Sequence, residues 1–151
     1  EPTTSLDVTI EAQVLQLLRQ LRAERNLAMI LVTHNLSVVA EICDKVVVMY
    51  AGRVVEVANV YDLFERPQHP YTQQLLKAIP MFPHEGERLY AMRGAVPALD
   101  EVIKGCTFAA RCDSYLGKVC DQQPPALAEV ASGGQWAACH RVAPGLEKES
   151  A

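Results

Sequence analysis

An amphipathic helix followed directly by a short, almost wholly apolar run is the feature that most constrains the fold. Apolar residues recur at helical spacing over residues 8–25, with glutamines and arginines between them. Residues 27–33 then form a run of strand length, of the kind that is buried on both faces in a parallel sheet. The pattern predicts an α/β layer, with Asp7 as the helix N-cap and Asn26 as its stop.

Valine-rich segments further along predict a β-hairpin, because Ala51-Gly52 marks a tight turn between them. Asn35 is a suitable cap for a short helix before the hairpin. The predicted elements are a helix over 36–43, strands over 45–50 and 53–57, and a helix over 60–65. The expected fold class is α/β, with a partial parallel sheet, helices and a β-hairpin, followed by a small cysteine-containing C-terminal extension.

The composition changes near residue 66, where prolines begin to punctuate the chain. One further helix is predicted over residues 71–79, with Pro70 at its first position, where a missing N–H costs nothing. We therefore place a domain boundary here and expect domains over 1–65 and 66–151.

Charge and hydropathy exclude two classes of function. The net charge of -4 comes from interspersed acidic and basic residues. The sequence therefore has no basic stripe of the kind that binds nucleic acid. The longest apolar runs are far shorter than the roughly 20 residues that span a bilayer. Half of the residues are apolar, so we expect a folded chain. The chain does not begin with Met, and we expect it to be part of a longer reading frame.

The first seven residues, Glu-Pro-Thr-Thr-Ser-Leu-Asp, together with Leu-Val-Thr-His-Asn at 31–35 and the valine-rich hairpin, resemble the C-terminal portion of an ATP-binding-cassette (ABC) nucleotide-binding domain. The resemblance implies that Glu1 is the catalytic glutamate after the Walker B strand and that His34 is the switch histidine. It also implies that Ser5, Leu6 and Asp7 form the D-loop at the interface with a second cassette.

These roles fit the chemistry of phosphoryl transfer, which depends on positioning and charge stabilisation. Glu1 would orient the attacking water, and His34 would donate a hydrogen bond near the γ-phosphate of ATP with its Mg²⁺. Taken singly, each residue has a plainer interpretation: a solvated terminal carboxylate, a helix cap or a strand-end histidine. Their order and spacing favour the catalytic interpretation.

Other ATPase motifs do not occur in the 151 residues. The sequence has no G-x-x-x-x-G-K-[ST] loop to cradle phosphates. Ser132-Gly133-Gly134-Gln135 resembles the LSGGQ signature but follows the Walker B position instead of preceding it, so we interpret it as a turn. We therefore expect that this chain alone is inactive and neither binds nor hydrolyses ATP appreciably.

Residues 66–76, with His-Pro-Tyr followed by a helix, resemble the extension of ATPase subunits from bacterial oligopeptide and dipeptide importers, a group that includes nickel importers. An apolar stripe is expected to dock this helix on the cassette; its members are Tyr71, Leu75, Leu76 and Ile79. The resemblance implies a second ATPase subunit, identical or different, transmembrane permease subunits, an extracytoplasmic binding protein that acts indirectly, and a location at the cytoplasmic face of the membrane.

Four of the five cysteines cluster late in the chain, at Cys106, Cys112, Cys120 and Cys139. Disulfides are disfavoured in a cytosolic protein, which leaves an iron–sulfur cluster, a zinc site or uncommitted thiols. The family resemblance implies a 4Fe-4S cluster held by these four residues. Cys43 is predicted to be a small core residue, and His140 is not assigned as a ligand. The rival function is a non-enzymatic, metal-stapled regulatory or interaction module.

Overall fold

The computed structural model describes residues 7–78, 91–98, 100–131 and 133–142. The chain divides into two compact units, Glu1–Asp44 and Lys45–Ala151. The helices are α1 (Val8–Arg25), α2 (Leu36–Ile42), α3 (Val60–Glu65), α4 (Pro70–Lys77), the 3-10 helix Ala109–Arg111 and α5 (Lys118–Gln122), and the strands are β1 (Lys45–Tyr50), β2 (Arg53–Asn59), β3 (Ala128–Ala131) and β4 (Gln135–Ala137). Among these residues, no helix has both the length and the apolar content that a membrane crossing requires.

Helix α1 has the bounds and both caps that the sequence predicts. The Asp7 side chain accepts a hydrogen bond from the Ile10 N–H at 2.9 Å, which satisfies one of the open donors of the first turn. At the other end, Asn26 adopts the left-handed conformation with φ 49°, a common way to end a helix. Local capping chemistry therefore fixes this helix.

Helix α2 is capped by Asn35, whose side chain accepts a hydrogen bond from the Ser37 N–H at 3.0 Å. It packs on α1 to form the small core of the first unit. The buried members of this core are Leu15, Val38 and Ile42, with Leu18, Met29, Leu31 and Cys43 packed against them. Cys43 thus lies beside a core, where the sequence analysis placed it.

The predicted parallel sheet is not present in the described part of the chain. Residues 27–33 carry no strand, and the side chains of Ile30 and Val32 are 95% and 69% exposed. The expectation of a strand buried on both faces was wrong for this structure, because strand geometry needs a neighbouring strand to complete its hydrogen bonds. No such neighbour lies among the described residues, where all strand pairs are antiparallel.

The second unit holds a four-stranded sheet in the order β1-β2-β4-β3. Strands β1 and β2 form the predicted hairpin, and the turn residues Ala51 and Gly52 have φ 45° and 75°, as a two-residue hairpin turn requires. The register changes between Val48 and Met49, which marks a β-bulge. The fold class is therefore α/β, with an antiparallel sheet.

Strands β3 and β4 were not predicted from the sequence. They flank the turn that the sequence analysis drew from the Ser-Gly-Gly-Gln segment, of which Ser132 lies outside the described residues. Gly133 and Gly134 have φ 121° and 83°, values that favour glycine. The interpretation of this segment as a turn is confirmed for these two residues, and the turn delivers Gln135 into β4.

Phe108 from the C-terminal extension is fully buried in the core beneath the hairpin. Its ring lies 5.1 Å from the Tyr50 ring and 5.4 Å from the Tyr71 ring, both in edge-on geometry. The buried members of this core are Val48, Tyr50, Val55, Ala58, Leu63 and Phe108. The hairpin consequently belongs to the same compact unit as the extension, whereas the sequence suggested a boundary near residue 66; the functional division into 1–65 and 66–151 stays a prediction.

Candidate functional site

The residues predicted to act on ATP are described only in part. Glu1, Ser5 and Leu6 lie outside the described residues, so their placement relative to His34 stays a prediction. Asp7 is described, and its side chain caps α1. That capping bond is the plainer role considered for Asp7, and the D-loop role stays a prediction beside it.

His34 lies in a bend between residues 27–33 and α2, and its side chain is exposed. Two hydrogen bonds order the segment around it. The Asn35 N–H donates to the Thr33 hydroxyl at 3.0 Å, and the Asn35 side chain caps α2. Since short polar side chains stabilise such bends, His34 is held at the solvent-facing end of the preceding run.

The four clustered cysteines come from four separate segments of the second unit. Cys106 follows Gly105 in a turn, and Cys112 ends the 3-10 helix. Cys120 lies within α5 and is buried, while Cys139 follows β4. All four are free thiols. The four cysteines singled out from the sequence thus belong to one compact unit.

The charges of the clustered thiols contribute to one another's pKa shifts. Burial raises the pKa of Cys106, Cys112 and Cys139, and that of Cys112 rises to about 11. Nearby cysteines raise these values further: Cys112 is affected by the other three, and both Cys106 and Cys139 by Cys120. Thiols that raise each other's pKa are close enough for their charges to interact.

Backbone amides oppose this effect. Hydrogen bonds from the backbone lower the pKa of three sulfurs, because N–H donors stabilise the thiolate. The amides belong to Phe108 and Ala109 beside Cys106, to Ser114 beside Cys112, and to Arg141 and Val142 beside Cys139. The segments that carry the cysteines therefore also supply donors to the sulfurs.

The described residues contain no group of three or more histidine, cysteine, aspartate or glutamate side chains arranged to hold a metal ion. The chemistry of the donor set nevertheless suits a soft metal, since it comprises four free thiols with amide donors beside three of them. His140 makes a different contact. Its Nε2 is 2.9 Å from the Gln123 carbonyl oxygen, so the ring links the chain after β4 to the end of α5.

A cavity of about 480 Å³ lies beside the thiols. Its lining includes Cys106, Cys112, Cys120, Ile103, Tyr115 and Asp121. The Tyr115 hydroxyl and the Asp121 carboxylate are hydrogen-bonded to each other at its wall. Three of the four thiols are thus next to a space that small molecules can enter.

A buried polar network that was not predicted from the sequence is centred on Glu56, which is fully buried on β2. Its carboxylate accepts hydrogen bonds from the Gln68 and His69 N–H groups, each at 2.8 Å, and from the Gln135 side chain at 3.2 Å. Gln135 also donates to the Arg66 carbonyl at 2.9 Å. The network joins β2, the chain before α4, and β4; the only sequence signal was a glutamate inside an apolar strand.

The α4 helix docks only partly as predicted: Tyr71 of the predicted stripe packs against the core. Its buried residues after Pro70 are Thr72 and Gln74, whereas Tyr71, Leu75 and Leu76 are only half-buried and Ile79 lies outside the described residues. Gln74 Nε2 donates to the Asp113 carboxylate at 2.9 Å and to the Arg111 carbonyl at 3.3 Å. Buried polar side chains need such partners, so the polar face turns inward to hold the segment around Cys112.

Comparison with known proteins finds similar sequences of one kind. Residues 55–120 match the family described as "Oligopeptide/dipeptide transporter, C-terminal region". The chain is 46% identical over 140 residues to the dipeptide transport ATP-binding protein DppD of Escherichia coli (strain K12), an alignment that covers 93% of this chain and 42% of that protein.

Two further relatives agree. The oligopeptide transport ATP-binding protein AppD of Bacillus subtilis (strain 168) is 50% identical over 127 residues, which cover 84% of this chain and 39% of that protein. OppD of Escherichia coli (strain K12), an oligopeptide transport ATP-binding protein, is 46% identical over 141 residues, which cover 93% and 41%. The chain spans about two fifths of the length of these relatives, and the resemblance drawn from the sequence is confirmed.

Proposed function

We infer that this chain is the C-terminal part of the ATP-binding subunit of an oligopeptide/dipeptide-type ABC importer, and we propose that the intact subunit hydrolyses ATP to drive peptide uptake across the cytoplasmic membrane. One observation carries the proposal: an alignment that covers 93% of the chain with a dipeptide transport ATP-binding protein must contain both His34 and Cys139. The ATPase segment and the extension are therefore shared with one relative.

In this proposal the subunit works at the cytoplasmic face of the membrane, paired with a second ATPase subunit and bound to transmembrane permeases. An extracytoplasmic binding protein delivers the peptide to those permeases. ATP and Mg²⁺ bind to the intact subunit and not to this chain alone, because the loop that cradles the phosphates does not occur in these 151 residues. Glu1 orients the attacking water, His34 stabilises the γ-phosphate, and Ser5, Leu6 and Asp7 face the second subunit.

Substitution of His34 in the intact subunit tests this role. His34→Ala should lower ATP turnover about 100-fold or more, because removal of one group that stabilises developing charge typically costs that much. ATP affinity, measured by titration with a fluorescent nucleotide, should stay nearly unchanged. Full ATP turnover by the variant would contradict the assignment of His34.

The substrate class needs its own measurement. Proteoliposomes that contain the intact subunit, its permeases and its binding protein should show ATPase activity stimulated by added peptide. Stimulation by Ni²⁺ or another small solute, with none by peptides, would replace the peptide proposal by one of those importers. An intact subunit without nucleotide binding would instead favour the metal-stapled interaction module.

We also propose that Cys106, Cys112, Cys120 and Cys139 ligate a 4Fe-4S cluster. The support is that they are free thiols, that their charges influence one another, and that backbone amides donate to three of the sulfurs. When bound, the cluster would act as a cross-link between the four segments. The amides beside the sulfurs would stabilise the thiolate form that ligation requires.

Anaerobic purification tests the cluster. The chain should be brown and contain about four iron and four acid-labile sulfide per molecule, and a Cys112→Ser variant should lose most of the visible absorbance. Cys43→Ser is the matched control and should keep it, because Cys43 belongs to the other compact unit. Colourless protein with one zinc per chain would assign a zinc site, and metal-free protein would assign uncommitted thiols.

A further inference from the structure

Two of the four clustered cysteines are joined directly through their main chains. The Cys106 N–H donates to the Cys120 carbonyl oxygen at 2.7 Å. No other pair among the described cysteines is joined by a main-chain hydrogen bond. With standard backbone bond lengths, this N···O contact holds the two Cα atoms within about 6.5 Å of each other, and a disulfide spans about 4.4–6.8 Å between Cα atoms.

Gly105, the residue before Cys106, allows the main chains of Cys106 and Cys120 to lie close together. A Cβ atom on Gly105 would lie 2.1 Å from the Cys120 carbonyl oxygen and 2.5 Å from the Asp121 carbonyl carbon. Only a glycine allows the two main chains to approach so closely. The turn before Cys106 and helix α5 are thereby packed backbone against backbone, so the two cysteines have little freedom to separate.

The same two cysteines line the cavity of about 480 Å³, together with Cys112. A water molecule occupies about 30 Å³ of liquid volume, and hydrogen peroxide is only slightly larger, so the cavity admits a peroxide. Cys120 is 8% exposed and lines this cavity, which gives a small oxidant a way to reach it. Cys106 and Cys120 are thus both in main-chain contact with each other and next to the cavity.

We propose that, in the metal-free chain, hydrogen peroxide closes a disulfide between Cys106 and Cys120. One cysteine attacks a peroxide oxygen as its thiolate, which breaks the O–O bond, forms a sulfenic acid and, with one proton, releases water. The second cysteine then attacks the sulfenic sulfur as its thiolate, and the S–O bond breaks with release of a second water, again with one proton, as the S–S bond forms. The two thiols lose two electrons and two protons, and the peroxide is reduced to two waters. A thiol reductant reverses the change.

The consequence for metal binding rests on the proposed four-thiolate site. A disulfide removes two of the four ligands, so the oxidised chain cannot hold a metal there, while reduction restores the full set. The site then has two exclusive states, metal-bound when reduced and cross-linked when oxidised without metal. This makes the extension a redox-sensitive element of the subunit.

Peptide mapping tests the pairing in the full chain. The reduced chain is stripped of metal with EDTA, treated with hydrogen peroxide, alkylated with iodoacetamide and digested with trypsin and chymotrypsin. Trypsin places Cys106 in residues 105–111 and Cys112 in residues 112–118, but it leaves Cys120 and Cys139 together in residues 119–141. Chymotryptic cleavage after Trp136 separates these last two.

The expected product links the Cys106 peptide to the Cys120 peptide, is two hydrogens lighter than the sum of the two, and disappears with dithiothreitol. Cys106→Ser and Cys120→Ser should each abolish it, and Cys112→Ser, which lines the same cavity, should retain it. A dominant link to Cys112 or Cys139 would overturn the proposal, as would sulfinic acid at Cys106 without any link.

A separate measurement distinguishes this proposal from the metal site. The reduced chain is titrated anaerobically with ferrous iron and sulfide, and in parallel with zinc. If the disulfide forms but the reduced chain takes up neither metal, the pairing stands and the metal proposal fails. If iron or zinc binds but the linked peptide never appears, the metal site stands and the disulfide proposal fails.

Discussion

Glu56 and His69 show how single residues organise the second unit. Both are buried, and the His69 N–H donates to the Glu56 carboxylate. The His69 ring caps α4, because its Nδ1 accepts a hydrogen bond from the Tyr71 N–H at 3.0 Å. The sequence predicted the helix after His-Pro-Tyr from Pro70, but not the cap, since histidine is an uncommon N-cap and its burial depends on distant residues.

The His69 cap should make stability depend on pH. Burial lowers the pKa of His69 from 6.5 to about 4, although a hydrogen bond to the Ala138 backbone opposes the shift. Below pH 6.5 the unfolded chain takes up a proton that the folded chain does not. Stability present above pH 6.5 should therefore be lost as the pH falls toward 4, by roughly 3 kcal/mol.

Urea unfolding at pH 7 and pH 4.5 measures this loss. The control is His69→Asn, whose side-chain oxygen is a good helix cap and does not titrate. The variant should lose less stability than the natural chain between these pH values. Equal losses in both proteins would show that other groups are responsible.

Gly105 provides a second prediction at the residue scale. Gly105→Ala places a Cβ atom 2.1 Å from the Cys120 carbonyl oxygen, and a backbone atom cannot move aside cheaply. We expect a loss of roughly 3 kcal/mol or more in the free energy of unfolding. Gly52→Ala is the control, because nothing lies within 4 Å and only its φ of 75° is strained, which should cost about 1 kcal/mol. Similar losses would contradict the close approach.

Elements with local determinants were predictable, and elements defined by distant partners were not. Helices α1 and α2 matched because Asp7 and Asn35 cap them through contacts two or three residues away. Strands β3 and β4 have four and three residues, too few to show an alternating pattern. They depend on distant partners, since β4 pairs with β2 and β3 pairs with β4. The four cysteines were identified by count and spacing, whereas Gln74 carried no local signal.

Gln74 should couple α4 to the segment around Cys112. Gln74→Ala removes the donors to the Asp113 carboxylate and the Arg111 carbonyl, so we expect a loss of roughly 1–3 kcal/mol. Hydrogen exchange should also speed up at the amides of residues 111–115. The exposed Gln20→Ala, which breaks only a bond to Glu24 within α1, is the control and should leave those amides unchanged. Unchanged exchange in Gln74→Ala would refute the coupling.

The whole molecule consists of two compact units, of which the second has its own core and sheet. The family match at residues 55–120 lies wholly within that second unit. A segment with its own core can fold alone. We therefore expect residues 45–151 to form an independent domain.

Circular dichroism and nuclear magnetic resonance of a 45–151 fragment measure this. The fragment should unfold cooperatively and show a dispersed amide spectrum, with the Phe108 ring protons shifted by the neighbouring tyrosines. Residues 1–44, with a buried core of three residues, are the comparison and should show much weaker cooperativity. A fragment without dispersed signals would mean that the hairpin needs other parts of the chain.

Because Phe108 is buried beneath the hairpin, the core of the second unit cannot be completed on the ribosome until Phe108 has been made. The hairpin ends at Asn59, and Phe108 is made about 50 residues later. Translation at about 5–20 residues per second makes this a wait of roughly 3–10 s. During that interval the apolar underside of the hairpin is only partly covered, by residues such as Leu63 and Tyr71, and the nascent chain is a natural client for chaperones until Phe108 is made.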